Sequence, residues 1–348
     1  MESTDGVMWA AVLHGPGDLR AEQVPLPVPG PGEVLLEVAA CGVCGSDLDR
    51  ALKKGAYREG LILGHEFSGH VRQVGAGVDP SWIGALVTVP PLIPCRKCAS
   101  CLRGEFGLCT DYSYFGSRTE GAYAAFVAVP EGNLLRVPDD MDPRLAAMAD
   151  PAAIALHAIW RTDARIGDSV AVVGAGPIGV LALQLARILG ASEVVALDIV
   201  PEKLELAMRL GADRAFTTAD EALAARPDGY DVVIETTGVN PGEEAAVLMA
   251  GRHGRISFIG IPNAPVTFSA KAFDRILRYE LTLTGSWNSF SAPFPGAEWT
   301  TVVDLFASGK LRGIEMITDE VSVMDVPTLL PRLADRSEYH LKALVFPR

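Results

Sequence analysis

The chain is short of several things that whole classes of protein need. Six cysteines in 348 residues are too few for a disulfide-built scaffold. A basic surplus is missing: 30 lysines and arginines stand against 43 acidic residues, a net charge of −13. Nucleic acid and anionic membranes both reward a positive surface, so neither is expected as the main partner. No run approaches the ~18 uncharged apolar residues of a membrane span. The opening stretch, MESTDGVMWAAVLHG, is acidic and polar and lacks the basic segment of an export signal. These absences predict a cytoplasmic protein, where thiols stay reduced and clustered cysteines point to metal. What is present is an ordinary globular composition, 49% hydrophobic and 21% charged, on a length that suits about two domains.

Up to about residue 140, short β-like runs at 7–13, 34–38, 86–89 and 125–129 are broken by Pro and Gly clusters such as PLPVPGPG at 25–32. This texture predicts a β-rich domain with long loops. From about Ile154 strands and helices alternate. Residues 169–173 read as a buried strand, 178–189 as an apolar helix and 193–197 as a second strand. A helix over 201–210 has Pro at its start and Gly211 at its end. Further strands are expected at 231–235, 255–259 and 281–284. Such alternation implies βαβ units and a doubly wound parallel sheet, an α/β architecture. The last ~50 residues carry one helical stretch, 299–308, and a terminal strand, 341–346.

Gly174-Ala175-Gly176-Pro177-Ile178-Gly179 is a G-x-G-x-x-G. Alone it says little, but it follows a strand, opens a helix, and precedes Asp198, which ends the next strand nineteen residues after the last glycine. The glycines admit a pyrophosphate to the helix start, and Asp198 can accept the adenosine ribose hydroxyls. A 2′-phosphate would meet that carboxylate, and Ile199-Val200-Pro201 offer no arginine to neutralise it. The expected cofactor is NAD, not NADP.

Cys95, Cys98, Cys101 and Cys109 have the spacing of a four-thiolate zinc lobe, closed and therefore structural. A second set is dispersed: Cys44-Gly45-Ser46-Asp47, Gly64-His65-Glu66 and Asp150. Each piece alone reads as packing or surface charge. Together they offer thiolate, imidazole and carboxylate, enough for a catalytic zinc with one open position. Cys41, in a C-x-x-C with Cys44, reads as a small buried residue at a strand end.

Taken in order, CGSD at 44–47, GHE at 64–66, the four-cysteine lobe and GAGPIG at 174–179 resemble the zinc-dependent medium-chain alcohol dehydrogenases over essentially the whole chain. CGSDL at 44–48, LGHEFSG at 63–69, FGSR at 115–118, LTLTGSW at 281–287 and PFPGAEW at 293–299 are most similar to the polyol branch, near the sorbitol, threonine and galactitol-1-phosphate 5-dehydrogenases. The resemblance implies a GroES-like β-rich catalytic domain over 1–153 and 292–348, and an NAD-binding Rossmann domain over 154–291. It implies two zinc ions per chain. Cys44, His65 and Asp150 would hold the catalytic one, and Glu66 would approach it when water exchanges. Asp47 would orient His65, and Ser46 would take the substrate's proton. Cys95, Cys98, Cys101 and Cys109 would hold the structural zinc. Along the cofactor it implies Gly174, Gly176, Pro177, Ile178, Gly179, Asp198, Lys203, Thr236, Ile259, Gly260, Ser286 and Trp287.

Two positions depart from that pattern. Asp150 stands where the polyol branch usually has glutamate, one methylene longer. Asp49 stands where many relatives have a histidine that passes the proton to solvent, a change that bears on the proton exit and not on hydride transfer. The implied reaction is oxidation of a secondary hydroxyl of a polyol, sugar, sugar phosphate or cyclitol to a ketone, in a homodimer or homotetramer. Other readings stay open at this point. Overall acidity and Asp49 leave room for an amino sugar or aminocyclitol substrate, and the same motifs could serve a non-catalytic zinc and NAD module. A zinc-free NADP reductase is disfavoured by Cys44, His65 and Asp198. The rings at Trp287, Phe290, Phe294 and Trp299 could line a cleft, form a subunit interface or pack a core.

Overall fold

A computed structural model describes residues 6–335 and 337–347. The first five residues, on which the reading of the amino terminus partly rests, lie outside them. The chain divides into two compact units. One takes the residues up to Asp150, Phe290–Ala307 and those from Gly313 onward; the other takes Pro151–Ser289 and Ser308–Arg312.

The first unit is β-rich. Its larger sheet runs in the order Leu135–Arg136, Leu86–Val89, Glu66–Val74, Glu33–Gly42, Lys342–Phe346, Ile317–Ser322, with Phe126–Pro130 also paired to Glu33–Gly42. Val34, Leu36 and Val38 recur at period two on the central strand and enter one apolar core with Val12, Phe67, Val87 and Tyr123. A smaller sheet joins Asp18–Pro25, Val7–Gly15 and Leu61–Ile62. Of the four rings named above, Phe290, Phe294 and Trp299 pack within this unit, while Trp287 belongs to the other. Phe290 stacks on Phe294 and on the fully buried Trp299 at 5.9 and 5.7 Å, and Phe106 meets Phe294 edge-on at 5.5 Å.

In the second unit six parallel strands lie in the order Arg214–Phe216, Glu193–Leu197, Ser169–Val173, Tyr230–Glu235, Ala250–Phe258, Thr282–Gly285. Every residue of Ser169–Val173 is buried, as a strand covered on both faces requires. The order reverses at that strand, and ligands of open α/β sheets bind at such a reversal, outside the carboxyl ends of the strands. The glycine-rich turn emerges there and opens the helix Pro177–Ile188, which starts one residue before its apolar period because Pro suits the first helical position.

The carboxyl-terminal part holds more than the sequence pattern predicts. Besides the helix Ala297–Ala307 and the strand Lys342–Phe346 it contains the strand Ile317–Ser322 and the helix Val326–Asp335. Pro331 inside the helix and the charges Asp319 and Glu320 in the strand mask both. No helix among the described residues is long and apolar enough to cross a membrane.

Candidate active site

The strand Glu33–Gly42 ends beside Cys44, which precedes the short helix Gly45–Asp49. The Asp47 carboxylate reaches back to accept the Cys44 backbone N–H at 3.0 Å, as acids do at helix starts. The same buried carboxylate accepts the Tyr123 hydroxyl at 2.9 Å, and its Oδ1 lies 3.4 Å from His65 Nδ1. Burial opposes both charges, but each partner overrides it: His65 holds Asp47 below the usual carboxylate range, and Asp47 holds His65 well above the usual imidazole value. With Nδ1 facing Asp47, Nε2 is the ring nitrogen left for a metal. Gly64 delivers His65 to this place. Its φ is +91°, and a Cβ there would come within 2.6 Å of the Tyr123 ring and 2.9 Å of Cys41 Sγ.

Cys44, His65 and Glu66 offer ligand atoms that all lie within 4.8 Å of one another. Asp150 is not in that compact trio. It is buried within electrostatic reach of His65 and Glu66, its Oδ1 has no hydrogen-bond partner among the described residues, and burial raises its carboxyl to about 7. An orphaned carboxylate oxygen within electrostatic reach of the imidazole is a group that a bound cation would satisfy, so the donor set fits zinc. Ser46 is partly buried in the helix that follows Cys44. Asp49 is not brought into the cluster. It pairs with Lys54 at 2.9 Å and Lys53 at 3.6 Å.

One buried partner was not anticipated. Lys342 Nζ pairs with Glu66 Oε2 and donates to the Val43 carbonyl oxygen at 3.1 Å. Gly42 leaves room for the pair, since a Cβ there would press within 2.9 Å of the Lys342 side chain. The sole sequence sign was a lysine heading the apolar strand KALVF.

The Asp47 contacts carry a measurable expectation. Asp47→Asn keeps the shape and removes the charge facing His65. Zinc affinity at the Cys44 site should then fall by about 10–100-fold, read by chelator competition. Retention equal to the parent protein would refute the orienting role.

The four-cysteine loop meets the zinc test directly. All four Sγ atoms lie within 4.8 Å of one another, with Cys95–Cys101 at 4.0 Å and Cys98–Cys109 at 3.9 Å. A tetrahedron with Zn–S bonds of ~2.3 Å has edges of about 3.8 Å. Backbone N–H groups of Cys98 and Cys95 donate to the sulfurs of Cys95 and Cys109, each at 3.3 Å. Backbone N–H groups of Cys101 and Thr110 pull the Cys98 thiol down to about 5, while burial pushes Cys101 up to about 12. The loop thus favours thiolate at Cys98 and disfavours it at Cys101.

At the glycine-rich turn Gly174 has φ +94°, and a Cβ on Gly179 would collide with the Gly174 carbonyl oxygen. Gly176, by contrast, faces open space where the helix beginning Pro177-Ile178 starts. Asp198 lies against this turn: its Oδ2 accepts from Ala175 N at 2.7 Å and its Oδ1 from Val200 N at 3.0 Å. Thr236 Oγ1 is used to hold the turn, donating to the Val173 and Gly174 carbonyls at 3.0 Å each. The Ile259 and Gly260 N–H groups donate to the Glu235 carbonyl at 2.9 and 3.4 Å. Ser286 is buried with no partner for its hydroxyl among the described residues, Trp287 is 52% exposed, and Lys203 is partly buried on the helix Pro201–Arg209.

Two family models match the chain: the alcohol dehydrogenase GroES-like domain over residues 30–139 and zinc-binding dehydrogenase over 177–308. Galactitol 1-phosphate 5-dehydrogenase of Escherichia coli strain K12 is 38% identical over 285 residues, 80% of this chain and 82% of that protein. Sorbitol dehydrogenase of Bacillus subtilis strain 168 is 27% identical over 351 residues, 98% of this chain and 97% of its own. The crystal structure of galactitol-1-phosphate dehydrogenase from Escherichia coli matches with a TM-score of 0.92 at 35% identity, covering 98% of this chain and 100% of that one. A zinc-binding dehydrogenase from Sinorhizobium meliloti 1021 bound to NADP matches at 0.91 and 30% identity, covering 99% and 100%. With a GroES-like β unit, a doubly wound parallel unit and the dehydrogenase relatives just described, the chain belongs to the zinc-dependent medium-chain alcohol dehydrogenase family and is an enzyme.

Proposed function

We propose that the enzyme oxidises a secondary hydroxyl of a polyol, sugar or sugar phosphate to a ketone with NAD, and binds two zinc ions per chain. The observation that carries this reading is the compact meeting of Cys44, the Asp47-oriented His65 and Glu66, with the buried Asp150 carboxylate within electrostatic reach of His65. In this reading residues 1–153 and 292–348 form the catalytic domain and 154–291 the cofactor domain.

Cys44, His65 and Asp150 would hold the catalytic zinc, and Cys95, Cys98, Cys101 and Cys109 the structural one. When bound, the catalytic zinc lowers the pKa of a substrate hydroxyl and NAD accepts the hydride. Asp47 keeps Nδ1 of His65 occupied and the ring aimed. Ser46, beside Cys44, takes the substrate's proton. Lys342 holds Glu66, which leaves Asp150 as the uncommitted carboxylate. Gly174, Gly176 and Gly179 admit the pyrophosphate to the helix start, and Asp198 accepts the ribose hydroxyls with the lone pairs its backbone contacts leave over. That carboxylate favours NAD, although one similar structure holds NADP. Lys203, Ile259, Gly260, Ser286 and Trp287 lie along the cofactor in this reading, and Thr236 acts through the turn.

Assembly as a homodimer is supported by the strand Thr282–Gly285, which ends the parallel sheet with its outer edge unpaired among the described residues.

A screen of polyols, hexitol phosphates and aminocyclitols against NAD and NADP, with zinc counted per chain, tests the proposal. A polyol or its phosphate should reduce NAD at least about tenfold more efficiently than NADP, a difference of roughly 1.4 kcal/mol. Zinc should count two per chain. Failure of every polyol class, or a single zinc, would sink the reading.

A further inference from the structure

We propose that Arg118, assisted by Arg50, binds an anionic head on the substrate, so that the substrate is a polyol bearing a phosphate or a carboxylate. The proposal rests on the polyol reading above and deepens it. Arg118 closes the FGSR segment that follows the strand Ser113–Tyr114. Its Cζ lies over the Tyr112 ring at 4.4 Å and over the Tyr57 ring at 4.7 Å. Arg50 places its Cζ over the same Tyr57 ring at 5.3 Å. Neither arginine has a carboxylate partner among the described residues. Of the other charges nearby in sequence, Arg58 pairs with Glu120, Lys53 and Lys54 pair with Asp49, and Glu59 and Asp111 are exposed acids.

Ring faces attract a guanidinium but take up none of its N–H donors through ordinary hydrogen bonds. The tyrosines therefore fix Arg118 while leaving its fork of donors for an incoming group. Arg118 is exposed, so the fork is reachable. Two cations are gathered on one tyrosine in a chain of net charge −13.

The fork is tied to the metal site through aromatic contacts. Tyr112 meets Tyr114 edge-on at 6.4 Å, and Tyr114 meets the His65 imidazole edge-on at 5.6 Å. All these residues belong to the first unit. A planar fork held on a stack suits bidentate recognition of phosphate or carboxylate. The same charge repels an amino-substituted substrate.

The zinc- and NAD-loaded enzyme is to be assayed with hexitol 1-phosphate, a hexonate and the free hexitol. Arg118→Ala should lower the ratio of kcat/KM for an anionic over the neutral substrate by at least about tenfold, mainly through KM. Arg118→Lys keeps the charge and loses the fork, so its ratio should fall between. A fall seen with the phosphate alone assigns a phosphate head, and one seen with the hexonate alone a carboxylate. An unchanged ratio in both Arg118→Ala and Arg50→Ala overturns the inference and leaves polyol oxidation standing. Should none of the three be oxidised, the polyol reading fails, and calorimetric titration of hexitol 1-phosphate into the loaded enzyme decides the anion site. Binding weakened about tenfold in Arg118→Ala supports it; equal binding in both proteins, or none in the parent, overturns it.

Discussion

Cys44→Ser should lower kcat by on the order of 10³-fold or more while NAD still binds. Serine nearly matches cysteine in shape, but its hydroxyl is not ionised at neutral pH and is a poor zinc ligand compared with thiolate. Loss of the metal removes several kcal/mol of stabilisation from the developing alkoxide, which corresponds to a rate change of that order. The surroundings should survive, because Asp47 accepts the backbone N–H of residue 44 and a serine hydroxyl can accept the helix-start N–H in place of the cysteine sulfur. The Gly174–Gly179 turn belongs to the other unit and is untouched. Zinc should fall from two ions per chain to one, NAD titration by fluorescence should be unchanged, and turnover should vanish into the background. Turnover within tenfold of the parent enzyme would show that Cys44 is not a ligand.

Cys98→Ser should act on stability instead. The loop from Cys95 to Cys109 brings four sulfurs to 4.8 Å or less, and backbone N–H groups already converge on them. A structural zinc supplies roughly 10–16 kcal/mol in small zinc-folded peptides. Losing even a third of that, at about 2–4 °C per kcal/mol, lowers Tm by roughly 10 °C. The disturbance should spread beyond the loop. Arg96 lies over the Phe294 ring at 5.3 Å, and Phe106 meets that ring edge-on; Phe294 in turn stacks on Phe290, which stacks on the buried Trp299. Calorimetric melting and zinc content check the expectation together. A Tm within about 2 °C of the parent, with two zinc ions retained, would remove the structural assignment.

What could be read from the sequence divides by how far apart the interacting residues lie along the chain. The four cysteines share one loop, and the glycine-rich turn with Asp198 spans a single βαβ step, so spacing alone exposes the pattern. The thiol, imidazole and carboxylate of the other cluster come from three separate segments, so their chemistry suggested the set and the family resemblance supplied the role of each residue. Lys342 was beyond reach. Its burial depends on the strand Lys342–Phe346 pairing with Glu33–Gly42, a long-range event that no local period reports. The arginine stack on Tyr57 was hidden for the same reason, with residues 50 and 118 meeting only in the folded unit. Asp49 shows the opposite limit. Its position resembles a proton-relay position, but its immediate neighbours Lys53 and Lys54 engage it first.

The contact between Lys342 and Glu66 also has a consequence for the order of biosynthesis. Lys342 reaches back across 276 residues to Glu66 and 299 to Val43. A ribosome releases the middle segment, with its six contiguous parallel strands, well before Lys342 exists. Domains tend to fold as they emerge, so the segment that carries the glycine-rich turn can close while the earlier segment still waits for its missing strand. Until then Glu66 has no buried counter-ion, and an uncompensated carboxylate opposes burial of the site around it. A zinc ion at Cys44 would therefore have to wait until the segment carrying Lys342 has emerged, well after the glycine-rich turn.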